Sequence, residues 1–217
     1  MSPRIVLIHA VQVAMQPVAE AFAADWPEAE TVNLLEDSLS GDRAAAGALT
    51  PPIAARVVEL ARYGCRIGAD GVLFTCSAFG PAIEAAAAEC DVPVLKPNEA
   101  MFELALEAGD DVGMLATFEP SVDSMADEFA ELATARGRQA VLHPLCVPAA
   151  MAALKAGDAD THNALLAGAA PRLAHCDAIM LAHFSTARAT AAVADAIDCP
   201  VLNSPGSAVR KLKSLLT

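Results

Sequence analysis

The chain is 217 residues long, 55% hydrophobic and 19% charged, which is enough for one large core or two smaller ones and excludes disorder. Acidic residues outnumber basic ones by 27 to 14, and the net charge of −13 argues against nucleic acid or an anionic membrane surface as partner. No apolar run reaches the roughly 18 residues of a membrane span and no basic-then-apolar export signal opens the chain, so a cytoplasmic protein is expected.

In chain order, Ile5 to Ile8 reads as a buried strand ending at His9-Ala10-Val11. Val18 to Phe22 suits an amphipathic helix broken by Pro27, and Glu30 to Leu35 a second strand. The polar stretch from Glu36 to Gly47 reads as a loop with the length and composition of a lid or mobile rim. Pro51-Pro52 opens a helix over about Ile53 to Ile67, since proline is tolerated in a first turn. The run Gly71 to Phe74 is a short strand buried on both faces; it stops at Thr75-Cys76-Ser77, and a helix runs from Pro81 to Glu89. Val92 to Leu95 is a strand, and Asn98 to Ala108 a helix closed by Gly109.

The second half gives a strand at Val112 to Leu115, a turn at Ala116-Thr117 and a helix at Ser121 to Thr134. A strand at Gln139 to His143 and helices at Val147 to Leu154 and Thr161 to His175 follow, with Pro171 kinking the last. Ala178 to Leu181 is a strand ending at His183, Thr186 to Ile197 a helix, Pro200 to Leu202 a strand and Ser207 to Leu216 the closing helix.

A shift of 107 positions, 76 to 183, superimposes the halves. It lays Gly71-Val-Leu-Phe-Thr-Cys76 over Ala178-Ile-Met-Leu-Ala-His183, Asp91-Val-Pro-Val-Leu95 over Asp198-Cys-Pro-Val-Leu202, and Ile5 to Ile8 over Val112 to Leu115. Alanine matches are cheap in so alanine-rich a chain; the Asp-x-Pro-Val-Leu match in one register is not. The expected fold is α/β, with two pseudosymmetric open parallel-sheet lobes from an internal duplication, residues 1–107 and 108–217, the terminal helix of the first lobe free to pack on the other. Ligands of such sheets sit beyond the carboxyl ends of the strands, so the active site is expected in the cleft between the lobes.

That rule gathers His9, Cys76, Ser77, Thr117 and His183 as candidates. A strand breaking into a helix at Cys76 favours an anion there, either a thiolate or a ligand carboxylate. Taken alone, Cys76 reads as a small buried hydrophobe; its place opposite His183 in the repeat raises it to a candidate catalytic residue. Ser77 offers a backbone N–H and a hydroxyl, with simple capping as the plain alternative. Ser185 and Thr186 stand in the same relation to His183, Thr117 could bind a substrate oxygen, and Glu99 is explained by capping. His143, His162, His175 and the other cysteines (65, 90, 146, 176, 199) read as background, with no C-x-x-C pair and no metal spacing. Asp37 to Asp42 lacks the spacing of a calcium loop, and no glycine-rich phosphate motif occurs.

These residues resemble the aspartate/glutamate racemase superfamily, which includes hydantoin racemases, maleate isomerases and arylmalonate decarboxylases. The likeness rests on Val72-Leu-Phe-Thr-Cys-Ser77 as the first-cysteine motif, Ile179-Met-Leu-Ala-His-Phe-Ser185 where the second belongs, Val112 to Thr117 and the Pro-Val-Leu strands. It implies a two-lobed, cofactor-independent and metal-free isomerase, often a dimer or larger homo-oligomer, acting on a small carboxylate or carbonyl compound. It also implies substrate contacts from His9, Ser77, Ala78, Thr117, Phe184 and Ser185. In the family's racemases one cysteine of each lobe serves the substrate's α-carbon. Here His183 replaces the second cysteine, and His9-Ala10 stands where glutamate racemases carry an Asp-Ser pair.

The reading that follows is proton transfer at carbon, with Cys76 and His183 as the two acid/base groups and a cationic His183 favouring the Cys76 thiolate. The alternatives are a single-cysteine decarboxylase or other lyase, a covalent cis-trans isomerase of a diacid, and a non-catalytic small-carboxylate binder. A Cys–His hydrolase ranks below these, because no orienting third residue is evident.

Overall fold

Apolar runs with no polar alternation require cover on both faces, and the first, β1 (Arg4–His9), has it: Ile5, Val6, Leu7 and Ile8 are all buried. Burial of each such side chain contributes about 1.5–3 kcal/mol. The computed structural model describes residues 2–217, with the backbone alone for Pro120. The described chain forms two compact units, one holding the residues up to Ala100 together with Ala208–Thr217, the other Met101–Ser207.

In the first unit, α1 (Met15–Asp25), β2 (Glu30–Leu35), α2 (Leu39–Ala46), α3 (Pro51–Arg66), β3 (Gly71–Phe74), α4 (Gly80–Glu89) and β4 (Val94–Leu95) follow β1. The strands are all parallel in the order β2-β1-β3-β4. Helix α3 buries Ile53, Val57, Ala61 and Gly64, a stripe at helical spacing. Gly64 is needed there: a Cβ would meet Val6 of β1 at 3.1 Å.

The second unit contains β5 (Asp111–Ala116), α6 (Val122–Ala135), β6 (Val141–Cys146), α7 (Pro148–Lys155), α8 (Ala159–Ala169), β7 (Ala178–Leu181), α9 (Thr190–Ala194) and β8 (Val201–Asn203). Its strand order, β6-β5-β7-β8, repeats the first, again all parallel. The chain passes between the units twice, within α5 (Glu99–Ala108) and α10 (Ser204–Leu216). Met101, Phe102, Ala105 and Leu106 of α5 belong to the second core, while Leu212 and Leu216 of α10 pack over Gly71 in the first unit.

The repeat is physical as well as textual. The bounds of β1 and β3, moved by 107 positions, are those of β5 and β7. The duplicated aspartates do the same job: Asp70 Oδ2 accepts the Arg4 N–H at 2.7 Å, and Asp177 Oδ2 accepts those of Asp110 and Asp111 at 2.9 and 3.0 Å. Each aspartate thus pins the start of its central strand.

Several expectations require correction. The stretch from Glu36 to Gly47 is not an open loop, because α2 occupies most of it. Leu39 is buried as its anchor, Ala44-Ala45-Ala46 favour helix, and Gly47 closes it at φ 68°. Arg56 of α3 ties the segment down through Glu36 and Asp42. Strand β6 lies at Val141–Cys146 rather than Gln139–His143, since pairing runs from Asp111 with Val141 to Ala116 with Cys146. As an edge strand it admits Pro144. Pro171 ends α8 rather than kinking it, the chain continuing as a 3-10 turn over Ala170–Leu173. The helix expected from Thr186 becomes a 3-10 turn, Phe184–Ala189, followed by the short α9. Helix α10 begins at Ser204, where Asn203 Oδ1 accepts the Gly206 N–H at 2.8 Å. Among the described residues no helix is long and apolar enough to cross a membrane.

Candidate active site

Cys76 stands just past β3, in extended backbone (φ −131°, ψ 122°), at the head of a 3-10 turn over Ser77–Phe79. It is half-buried, Ser77 is exposed and Ala78 is half-buried. Burial pushes the Cys76 thiol up from its ordinary value of 9.0, while the Ala78 amide, the Ser40 hydroxyl and the Arg43 charge pull it back. Ser40 and Arg43 belong to α2, the segment expected to be a loop. Arg43 Nε donates to the Ala78 carbonyl at 2.6 Å and Ser40 donates to the Ala10 carbonyl at 3.2 Å, so α2 is hydrogen-bonded to the turns after β1 and β3. In a chain of net charge −13, this guanidinium supplies the local positive charge that the overall field does not.

His9 is the residue expected to contact substrate from β1. It is fully buried at the end of β1, and both ring nitrogens are engaged. Nε2–H donates to Asn33 Oδ1 at 2.9 Å, and Nδ1 lies 2.9 Å from the Thr75 hydroxyl, which also reaches the Ile8 carbonyl at 3.3 Å. Burial lowers its pKa from 6.5, with Asn33 working the other way. His9 is a neutral cross-tie from β1 to β2 and to the end of β3.

In the second unit the carboxyl edge of the sheet gathers Thr117 after β5, Cys146 at the end of β6, and His183 after β7. His183 is the one non-glycine residue with positive φ among the described residues, at φ 75° and ψ 150°. L-residues occupy this region at a cost of about 1–3 kcal/mol, so the surroundings must over-determine it. They do so through Thr186, whose hydroxyl donates to the Ala182 and His183 carbonyls, and through Ser121, whose Oγ lies 2.7 Å from His183 Nε2.

The Ser121 hydroxyl proton is given to the Phe118 carbonyl at 2.8 Å, so its oxygen accepts Nε2–H from His183. The neutral ring then carries its lone pair on Nδ1, which is buried and makes no hydrogen bond among the described residues. Burial lowers the His183 pKa from 6.5, the Ala182 backbone offsetting this in part. Burial thus works against the cationic His183 that was expected, as it works against the Cys76 thiolate.

Thr117 is buried, and its Oγ1 likewise has no partner among the described residues. Phe184 is buried behind His183, and Ser185 is half-buried. Cys146, read from the sequence as background, has its thiol pushed up to about 11 by burial and the neighbouring Glu119. Sequence reasoning missed Ser40, Arg43 and Ser121. Ser121 was read only as the first residue of a helix; nothing local tied it to a residue 62 positions on.

A model of the Asp/Glu/hydantoin racemase family matches residues 7–128. The chain belongs to this family. Its fold is that of solved relatives too distant in sequence to show more than the fold. Allantoin racemase from Klebsiella pneumoniae aligns at TM-score 0.72 and 19% identity, over 99% of this chain and 88% of that one. Aspartate racemase from Picrophilus torridus aligns at 0.70 and 12%, over 99% and 94%. A glycine-to-cysteine mutant of arylmalonate decarboxylase aligns at 0.67 and 19%, over 99% and 93%. No curated protein sequence matches. Cys76 and His183 are equivalent positions of the repeat, 107 residues apart, one holding a thiol and the other an imidazole.

Proposed function

We propose that this chain is a cofactor-independent racemase, epimerase or isomerase that moves a proton at the carbon α to a carboxylate or carbonyl of a small molecule, with Cys76 and His183 as the acid/base pair. The observation that carries this reading is a thiol whose pKa burial raises and an imidazole whose pKa burial lowers, at equivalent positions of the repeat in a racemase-family chain. Racemisation requires one group to give a proton and one to take it, and these opposite shifts favour that division of roles.

His183 Nδ1 takes the α-proton, and the C–H electron pair passes into the adjacent carbonyl as an enediolate. The Cys76 S–H returns a proton to the same carbon. The pair ends as imidazolium and thiolate, the starting point for the reverse reaction. Developing charge on the substrate oxygen needs aimed donors, and we assign this to the Thr117 hydroxyl and the amides of Ser77 and Ala78. Phe184 and Ser185 complete the proposed substrate contacts, and Arg43 favours the thiolate stage of Cys76.

The test is exchange of the α-hydrogen in D2O, followed by proton NMR with allantoin, aspartate and glutamate as probes. Wild type should exchange at least one of them and Cys76→Ala should not; undiminished exchange in Cys76→Ala sinks the mechanism. A lyase is the second reading, favoured by the presence of a thiol at only one of the two positions. It would show as carbon dioxide release from an arylmalonate without exchange.

A further inference from the structure

The amino end of the second sheet, opposite the edge that carries His183, holds a side-chain cluster that the proposed reaction does not use. His143 lies on β6 opposite Gly113, and His175 and Cys176 precede β7. One ring nitrogen of each histidine and the Cys176 sulfur all lie within 4.8 Å of one another. The two rings meet edge to face with centroids 4.9 Å apart. We propose that His143, His175 and Cys176 bind one divalent transition-metal ion of the Zn2+ class, with Asp111 orienting His143.

The donor set decides the class. Two imidazoles and a thiolate suit zinc and its neighbours, whereas calcium and magnesium require oxygen ligands. Asp111 Oδ1 lies 2.9 Å from His143 Nε2, the carboxylate–histidine arrangement that fixes tautomer and ring orientation in metal sites. With Nε2–H donated, Nδ1 of His143 keeps its lone pair. Asp111 is itself held, since its backbone N–H donates to Asp177 Oδ2 at 3.0 Å. The neighbouring Asp110 is neutralised by Arg138, but Asp111 has only His143 as an ion-pair partner among the described residues. A cation arriving here therefore meets uncompensated carboxylate charge.

Access and closure are both available. Cys176 is buried, His143 half-buried and His175 exposed, so an ion can enter from solvent and keep water as its fourth ligand. Zn–N and Zn–S bonds of about 2.0 and 2.3 Å place donors roughly 3.5 Å apart, closer than the present spread. Closing that gap requires the exposed His175 ring to turn inward from its edge-to-face contact with His143. On binding, the Cys176 S–H loses its proton to solvent and an M–S bond forms, with no change of oxidation state. Packing of two histidines edge to face against an aspartate is the alternative explanation of the same cluster, and it predicts no thiolate ligation.

Co2+ separates the two, because cobalt-thiolate bonding gives a near-ultraviolet charge-transfer band and tetrahedral cobalt gives intense visible bands. Anaerobic titration of the reduced full-length protein should give both, saturating at one equivalent and bleached by Zn2+. Cys176→Ser should lose the near-ultraviolet band, and His175→Ala, at an exposed position that cannot disturb the core, should weaken binding by at least the 10–100-fold that loss of an outer-shell partner costs. Cys76→Ala should leave the spectrum unchanged. No thiolate band, a band that survives in Cys176→Ser, or one that vanishes in Cys76→Ala would overturn the assignment.

Discussion

The residue that follows the third strand sits in ordinary extended backbone in the first unit, at φ −131° for Cys76; in the second, its counterpart His183 is held at φ 75°. After Cys76 a three-residue turn leads into a ten-residue helix opened by Gly80-Pro81. After His183 the turn lengthens to six residues and the helix shrinks to five, with the Thr186 hydroxyl bonded back across the turn. One scaffold thus offers a relaxed thiol attended by a cation and a strained, desolvated imidazole attended by a serine. Backbone strain of this kind persists where surrounding bonds outweigh it, so the second unit gives up stability at the position where the first does not.

The largest effect expected of breaking this comparison is catalytic. His183→Ala should lower α-hydrogen exchange by about 10²- to 10⁴-fold, the usual worth of a positioned acid or base. If exchange survives within a few-fold while Cys76→Ala abolishes it, the two positions are not an acid/base pair and the one-thiol lyase reading gains. The wild-type rate should fall on the acid side only below pH 6.5, because burial lowers the His183 pKa from that value, and on the alkaline side only above 9.0, because burial raises Cys76.

A smaller effect tests the cation beside Cys76. Arg43→Gln removes the charge near Cys76 and loosens the Ala78 turn, so alkylation of Cys76 by iodoacetamide at fixed pH should slow several-fold. An unchanged rate would mean that burial alone sets this thiol.

The smallest expected effects are on stability. Glycine carries no penalty at φ 75°, so His183→Gly should be more stable than His183→Ala by about 1 kcal/mol in urea unfolding, the reverse of the usual order. Both variants should also lose part of the acid sensitivity of folding. A lowered histidine pKa means the unfolded chain binds a proton that the folded one resists. Wild-type stability is therefore full above pH 6.5 and declines as pH falls below it, levelling off beneath the folded-state value. Without the His183 imidazole this decline should be shallower, the remainder coming from His9.

Much of this molecule follows from its sequence because the controlling physics is local. The unbroken apolar runs at residues 5–8, 71–74, 112–115 and 178–181 could only be strands covered on both faces, and a shared register with Asp70 and Asp177 at its head marked the duplication. Cys76 and His183 were legible as the residues that end equivalent strands. What escaped was decided by partners far away in the chain. Leu39 turned a polar stretch into a helix because a core was there to receive it, and pairing with β5 moved β6 toward its carboxyl end. The partners of His9, Thr75 and Asn33, lie 66 and 24 residues away and could not be read from its neighbours. Ser121 became part of the imidazole's environment across 62 residues, and His143 met His175 and Cys176 with no motif to announce them. Periodicity and propensity are read from neighbours in sequence, but hydrogen-bond partners, backbone strain and metal-sized clusters exist only once distant segments share a sheet.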